Sequence, residues 1–251
     1  MRGGRRLRDR GDPMIERVLE PEVMDTPEEA RDYDAMDHAE VNARFCEDFL
    51  AFATRPGRPP IESMTPPLVI DFGTGTALIP IELCTRAAGF AVIAIDLSEH
   101  MIARARINVA HAGLANRVLF ERVDAKRTPF DDGTFAATVS NSIVHHVPDP
   151  ERAFAEMLRV TATGGVIFVR DLHRPEGEDE LERLVAAHGG QPPADPALAA
   201  TFERQRGLLR ASLRAALTAA EVVQMVAPLG IPPSAVGMTS DRHWTLAYEK
   251  P

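Results

Sequence analysis

Val69-Ile-Asp-Phe-Gly-Thr-Gly-Thr-Ala-Leu-Ile-Pro-Ile-Glu-Leu83, with Ala94-Ile-Asp-Leu-Ser-Glu-His-Met101 following it, is the stretch that decides the fold. The run Leu68 to Ile70 is short and apolar, as a parallel strand buried on both faces requires. It ends at Asp71, and the chain turns through Gly73 and Gly75, where a side chain would block close approach of the backbone to a ligand. A helix is expected from about Thr76, its free N–H groups aimed at whatever sits on the turn. The next apolar run, Phe90 to Ile95, ends in Asp96, 21 residues after Gly75. A strand, glycine turn, helix and second strand place an acid there to accept hydrogen bonds from ribose hydroxyls. These residues imply a nucleoside-binding site at the edge of a sheet.

Two glycines leave the cofactor open. A turn built for a dinucleotide pyrophosphate carries a third glycine that lets the helix close on the strand, and Leu78 occupies that position. A nicotinamide-dependent oxidoreductase is the weaker reading for this reason and because no Tyr-x-x-x-Lys pair is evident. Asp71-x-Gly73-x-Gly75 instead resembles the first motif of the class I S-adenosylmethionine-dependent methyltransferases, and Asp96 resembles the acid ending their second strand. That family often has a further glycine where this chain has Ala77. Three more segments resemble it: Val123-Asp124-Ala125, Asp131-Asp-Gly-Thr-Phe135, and the loop Asn141-Ser-Ile-Val-His-His-Val-Pro-Asp-Pro150. The match is good over residues 67–175 and looser over 218–250, and is similar to the small-molecule, methyltransferase type 11/25-like enzymes.

The resemblance implies an α/β fold, Rossmann-like, with a seven-stranded mostly parallel sheet, helices on both faces and a reversed last strand. It implies S-adenosylmethionine as cofactor and S-adenosylhomocysteine as product. Backbone at Gly73, Thr74 and Gly75 would approach the methionine and ribose part, and Asp96 would bond the ribose. Leu97 and Met101 would flank the adenine, and Asp124, beside Ala125, would accept from its amino group. Asp71 is a contact of the methionine ammonium or a cap of the glycine turn; Met101 serves core packing equally well. Asn141 and Ser142 close the fourth strand, at the sheet edge where open α/β folds bind ligands. Asn-Ser-Ile-Val lacks the Asn-Pro-Pro pattern of many enzymes that methylate nucleobase or glutamine nitrogens.

The pattern outside the sheet frames the acceptor. Residues 27–53 read as one or two helices, with Val41, Phe45, Phe49 and Phe52 on a common face, and the proline-rich stretch from Thr54 to Pro67 separates them from the first strand. The domain reading is an N-terminal arm over 1–26, a helical lid and linker over 27–66, and the methyltransferase domain over 67–251 with a helical cap inserted at 175–217. Strands are expected at Arg117 to Val123, Phe135 to Ser140 and Val166 to Val169, with a helix from Asp149-Pro150 to Gly164-Gly165. A helix over Ala219 to Leu229 and an antiparallel pair, Ser234 to Thr239 with His243 to Tyr248, finish the chain.

His145 and His146 offer a base titrating near neutrality for an acceptor that must lose a proton, or are structural loop residues. As neighbours on a turn they should diverge, with at most one facing the pocket. No spaced His/Asp/Glu set accompanies them, so no metal site is expected. Tyr33, Asp37 and His38 are lid candidates or an ordinary polar helix face. Arg170, Asp171, His173 and Arg174 follow the fifth strand, as acceptor contacts or a solvated strand end.

Of 251 residues, 45% are hydrophobic and 26% charged, enough for one α/β domain with a full core. The net charge is −9, and the first thirteen residues hold five arginines against Asp9 and Asp12, so the remainder carries −12. So acidic a body argues against a nucleic-acid partner. No apolar run is long enough to span a membrane, and the basic start lacks a signal-peptide core. With only Cys46 and Cys84, this predicts a cytoplasmic enzyme with a small-molecule methyl acceptor and no membrane partner, a homodimer being left open. The arginine-rich start reads as a disordered arm or a translated leader before Met14. A non-catalytic protein that binds S-adenosylmethionine as a sensor or scaffold is the competing reading.

Overall fold

The computed structural model describes residues 15–23, 26–36, 38–58, 61–64, 67–89 and 91–251; the arginine-rich start and Asp37 lie outside them. Two helices come first, α1 (Pro27–Asp34) and α2 (Ala39–Ala53). A Thr26–Glu29 capping box starts α1, each side chain satisfying the other's backbone N–H. Then follow β1 (Leu68–Phe72), α3 (Leu78–Arg86), β2 (Ala91–Asp96), α4 (Glu99–His111), β3 (Val118–Arg122), β4 (Phe135–Asn141), α5 (Pro150–Val160) and β5 (Thr161–Leu172). The cap supplies α6 (Glu178–His188) and α7 (Ala199–Ala215), and the chain ends in α8 (Ala219–Val226), β6 (Val236–Met238) and β7 (His243–Glu249).

The seven strands form one sheet in the order β3-β2-β1-β4-β5-β7-β6. The first five run parallel, and β7 is antiparallel to both β5 and β6. The sheet with its reversed last strand is as the sequence implied. Sequence order reverses between β1 and β4, which opens a crevice beyond their carboxyl ends. One core cluster lies where α2 and α3 cover a face; Phe45, Phe49 and Phe52 of α2 surround Phe168 of β5 at 5.4, 5.8 and 6.2 Å. A second cluster joins α5 and α8 to the opposite face around Trp244 and Phe154.

Several element boundaries differ from expectation: β5 spans Thr161–Leu172 and not only Val166 to Val169, α8 ends at Val226 and β6 is confined to Val236–Met238. Helix α5 stops at Val160 and not at Gly164-Gly165, because β5 starts at Thr161 and Phe135 of β4 pairs with Thr161. Helix α3 starts at Leu78, since Ala77 at its N-cap has φ 65°, a left-handed backbone.

Residues 15–23 are not a free arm. Ile15 packs with Leu172, Leu181, Leu184, Val185, Leu213 and Ala216 in a third cluster, which ties this segment and the cap to the end of β5. The Arg17 Nε donates to the Ala215 carbonyl at 2.7 Å, and the Val18 N–H to that of Arg214 at 3.2 Å. An apolar residue at each end of a long cap supplies a small core that neither the cap nor the segment has alone.

Candidate functional site

The glycine turn after β1 is fixed from below by Ile143 and covered from above by Tyr33. Gly73 has φ 69°, and a Cβ there would lie 1.7 Å from Cδ1 of Ile143 in the β4 loop. Gly75 has φ 53°, but its nearest neighbour would be Cε1 of Tyr33 at 3.6 Å, ordinary contact. Gly73 is thus required by the fold, whereas Gly75 lies beneath α1. The Thr74 N–H donates to the Ile95 carbonyl at 2.9 Å, which ties the turn to β2.

Asp96 closes the unit. Its carboxylate accepts from the Gly75 N–H and the Ser98 N–H, each at 2.8 Å, while the Ser98 side chain caps α4 through the Met101 N–H. Burial raises the Asp96 pKa against those backbone donors. Asp71, fully enclosed at the end of β1, is pushed up to about 7 by burial, with the charge of Asp96 acting in the same direction. Met101 is buried and belongs to none of the three core clusters. Leu97 is half-buried beside Asp96. Asp124 accepts from the Lys126 N–H at 2.8 Å and pairs with the Lys126 ammonium at 3.1 Å; Lys126 also pairs with Glu22. Ala125 packs against the second core cluster.

The lid is latched over this turn. Asp34 at the end of α1 accepts from Arg104 Nε at 2.6 Å and from Asn108 Nδ2 at 2.7 Å, and Asn108 also donates to the Thr76 carbonyl at 3.1 Å. Tyr33, one residue earlier, has its phenol pushed up to about 12 by burial and by the charges of Asp96, Asp71 and Asp171. It therefore stays a hydroxyl donor facing carboxylates. His38 lies against it, ring centroids 5.0 Å apart.

Beside the turn is a cavity of about 390 Å³. Tyr33, His38, Asn141, Ser142, His145 and His146 all line it, with Phe202, Leu208 and Leu209 of α7 on the cap side. Three of these come from the loop after β4, Asn141 from the end of β4 itself and two from the lid, so the structure brings together candidates that lie over a hundred residues apart. The Asn141 Oδ1 is buried and accepts no hydrogen bond among the described residues. Ser142 has φ 57°, a strained backbone for a residue with a side chain, and its N–H donates to the Arg170 carbonyl at 2.9 Å.

The two histidines do not diverge. They sit on a single 3₁₀ turn, Val144–His146, with ring centroids 4.1 Å apart, and both reach the cavity. His145 is nearly enclosed: Nδ1 lies 2.6 Å from Oδ1 of Asp171, and its backbone N–H donates to Oδ2 of the same carboxylate at 3.1 Å. Burial alone would lower its pKa, but Asp171 and then Glu20 outweigh burial and raise it. Burial would also raise Asp171, yet His145 and two backbone amides bring it below the usual carboxylate range. His146 is held down at about 3 by burial and by the neighbouring His145 charge.

Arg170 and Asp171 lie within β5, which runs on to Leu172, and only His173 and Arg174 follow it. Arg170 donates to Thr245 Oγ1 at 2.9 Å and Asp48 at 2.7 Å, tying β5 to β7 and α2, and borders a second, wider cavity under α2. Asp171 reaches the site only through His145. His173 accepts from the Ala219 N–H at 3.3 Å, at the start of α8, and Arg174 pairs with Glu221, so neither lines the 390 Å³ cavity. Sequence reasoning missed Glu20, whose carboxylate lies 3.8 Å from His145 Nε2 and 3.6 Å from His146 Nδ1. Nothing local to Val18-Leu-Glu-Pro21 distinguishes it.

A parallel sheet with a reversed β7, a glycine turn after β1 and an acid at the end of β2 define the class I S-adenosylmethionine-dependent methyltransferase fold. Residues 70–169 match the methyltransferase domain family. Over 110 residues the chain is 38% identical to a phosphatidylethanolamine N-methyltransferase from Cereibacter sphaeroides, covering 43% of this chain and 53% of that one. It is 33% identical over 137 residues to a malonyl-[acyl-carrier protein] O-methyltransferase from Geobacter sulfurreducens, covering 55% and 47%. The chain spans about half the length of these curated relatives. A SAM-dependent methyltransferase from Aquifex aeolicus has the same fold, with a TM-score of 0.60 at 18% identity, covering 88% of this chain and 97% of that one.

Proposed function

We propose that this protein transfers a methyl group from S-adenosylmethionine to a small molecule held in the cavity between the β4 loop, the α1 lid and α7. The observation that carries this is the continuity of the two halves: Tyr33 covers Gly75 and also lines the cavity that Asn141, Ser142 and both histidines close. The orphaned Asn141 Oδ1, a buried acceptor in need of a donor, and the room above Gly75, where a Cβ would meet only Tyr33 at 3.6 Å, fit the cofactor expected there. Asp96 would hold the ribose, Asp71 the methionine ammonium, Leu97 and Met101 the adenine ring and Asp124, beside Ala125, its amino group. The bound cofactor supplies an electrophilic methyl on a sulfonium.

The chain's own task is to align the acceptor and exclude water, which supplies about 7–11 kcal/mol of the barrier reduction in reactions of this kind. Tyr33, His38 and α7 enclose the acceptor, and Asn141 and Ser142 fix it at the sheet edge. For an acceptor atom that carries a proton, His145, oriented by Asp171, is the wall side chain that receives it. A cavity of about 390 Å³ suits a compact acceptor or the end of a longer one. The acidic chain and the absence of an Asn-Pro-Pro loop favour this over nucleic acid.

Calorimetry with S-adenosylmethionine, S-adenosylhomocysteine and NAD, followed by a labelled-methyl screen over thiols, amines, phenols and carboxylates, tests the reading. Binding of the first two but not NAD, with label transferred to one acceptor class, is expected. Failure to bind either sulfur nucleoside would sink the donor assignment. Binding with no transfer to any acceptor would favour the sensor or scaffold reading.

A further inference from the structure

We propose that Glu20, His145 and His146 form a binding site for one divalent first-row cation, zinc by preference, on the wall of the acceptor cavity. One ligand atom from each residue lies within 4.8 Å of the others, although Glu20 comes from the N-terminal segment and the histidines from the β4 loop. Two imidazoles and one carboxylate are the donor set of three-ligand zinc sites that keep a position open.

Three further observations support a built site. The first is the support of His145. Its Nδ1 is engaged at 2.6 Å by Asp171, which accepts from the Leu172 N–H at 2.6 Å, so Nε2 is the nitrogen left toward Glu20. A ligating histidine usually has its second ring nitrogen held by a carboxylate, which fixes tautomer and orientation. Next, the Glu20 Oε2 is buried and accepts no hydrogen bond among the described residues, although it stands 3.6 and 3.8 Å from two imidazole nitrogens. A buried carboxylate oxygen with no donor is costly, and a cation at the centre of the group satisfies it. Last is charge. The carboxylates of Glu20 and Asp171 face the two imidazoles, a set that suits a divalent ion; Arg17, the nearby cation, donates to the His145 carbonyl at 3.3 Å.

The segment that bears Glu20 is held for the purpose. Ile15 is packed into the cap cluster and Glu22 pairs with Lys126, so the carboxylate is pinned on both sides. Both histidines line the acceptor cavity, which places the open coordination position on the side where an acceptor oxygen or nitrogen would enter. Loaded, the site polarises that atom and His145 is a ligand; unloaded, His145 is free to take a proton. Only this role rests on the proposed methyl transfer. The cation site itself stands on the geometry.

The test uses the tag-free full chain after chelator treatment. Cobalt(II) titration followed by its visible ligand-field spectrum, with zinc competition, should show one tightly bound cation per chain. Glu20→Gln and His146→Gln should each weaken binding by about a hundredfold, and Asp171→Asn by about tenfold to a hundredfold through His145. His111→Ala, at an exposed helix end, should leave it unchanged. S-adenosylhomocysteine affinity measured on the same samples in chelator should be retained in Glu20→Gln, which separates loss of this site from loss of the donor site or of folding. No saturable binding by the wild-type chain, or binding unaffected by Glu20→Gln and His146→Gln, would overturn the proposal.

Discussion

Gly75 and Asp96, joined N–H to carboxylate at 2.8 Å, are 21 residues apart within one strand–helix–strand unit; Arg17 and His145, joined across the acceptor wall at 3.3 Å, are 128 apart. The donor side is written in consecutive residues and uses backbone groups that every sequence possesses, exposed by glycines at fixed positions. The acceptor side is assembled from the N-terminal segment, the lid, the β4 loop and the cap, of which only the β4 loop has a recognisable motif. Such a division lets one side stay constant while the other is reshaped. Changes on the donor side should therefore act on cofactor affinity or folding, and changes on the acceptor side on turnover.

The largest effect is expected at Gly73. Gly73→Ala adds a methyl into Ile143 and imposes a positive φ on alanine, so stability should fall by about 3 kcal/mol or more in denaturant unfolding. A loss below about 1 kcal/mol would mean that the β4 loop yields and that the two halves are less tightly joined than the contact implies. Asp96→Ala should weaken S-adenosylmethionine binding by about 1–3 kcal/mol, the worth of a charge-assisted hydrogen bond. Unchanged affinity would remove Asp96 from the ribose role.

Asp71 gives the comparison a pH axis. Its folded pKa of about 7 exceeds the usual aspartate value of about 4, so the folded state binds the extra proton between them. The stability this contributes is full below about pH 4 and is lost as pH rises through about 7. Cofactor affinity runs the other way, because the ionised carboxylate attracts the methionine ammonium. Calorimetry from about pH 6 to 8 should show affinity rising roughly tenfold, and Asp71→Asn should flatten the profile.

Smaller effects are expected at the seam. Asp34→Ala removes the acceptor of Arg104 and Asn108, which should cost about 1 kcal/mol and speed amide exchange in α1, with cofactor affinity following the lid. Exchange in α1 no faster than in the wild-type chain would show that packing, and not this latch, holds the lid. Ala77→Gly should change stability by less than about 1 kcal/mol: relief of the left-handed alanine is offset by loss of a buried methyl and a more flexible unfolded chain.

What was legible follows the same division. Seven strands, their order of appearance, the glycine turn and Asp96 could be read because burial and turn chemistry leave short-range marks: apolar runs, glycines and capping residues. The end of α5 was misplaced because Gly164-Gly165 is a helix stop in isolation, yet cross-strand pairing of Phe135 with Thr161 wins over local preference. The pairing of both histidines toward the cavity was missed because neighbours on a turn normally splay, whereas here Asp171 holds the His145 ring and Glu20 stands against both, with the ring centroids 4.1 Å apart. Asp171 and His173, two residues apart in the sequence, meet different partners because β5 ends at Leu172 between them; the former meets His145 and the latter α8.

By itself the sequence determined the sheet, the glycine turn and the acid after the second strand, because these depend on residues within one supersecondary unit whose geometry repeats wherever its pattern does. Only the tertiary structure decided which helices form the cavity, that Tyr33 covers Gly75, and that Glu20 meets His145 and His146. Those contacts arise when apolar faces far apart in the chain, Ile15 and the cap among them, bury one another, and no short-range pattern records where a buried face will find its partner.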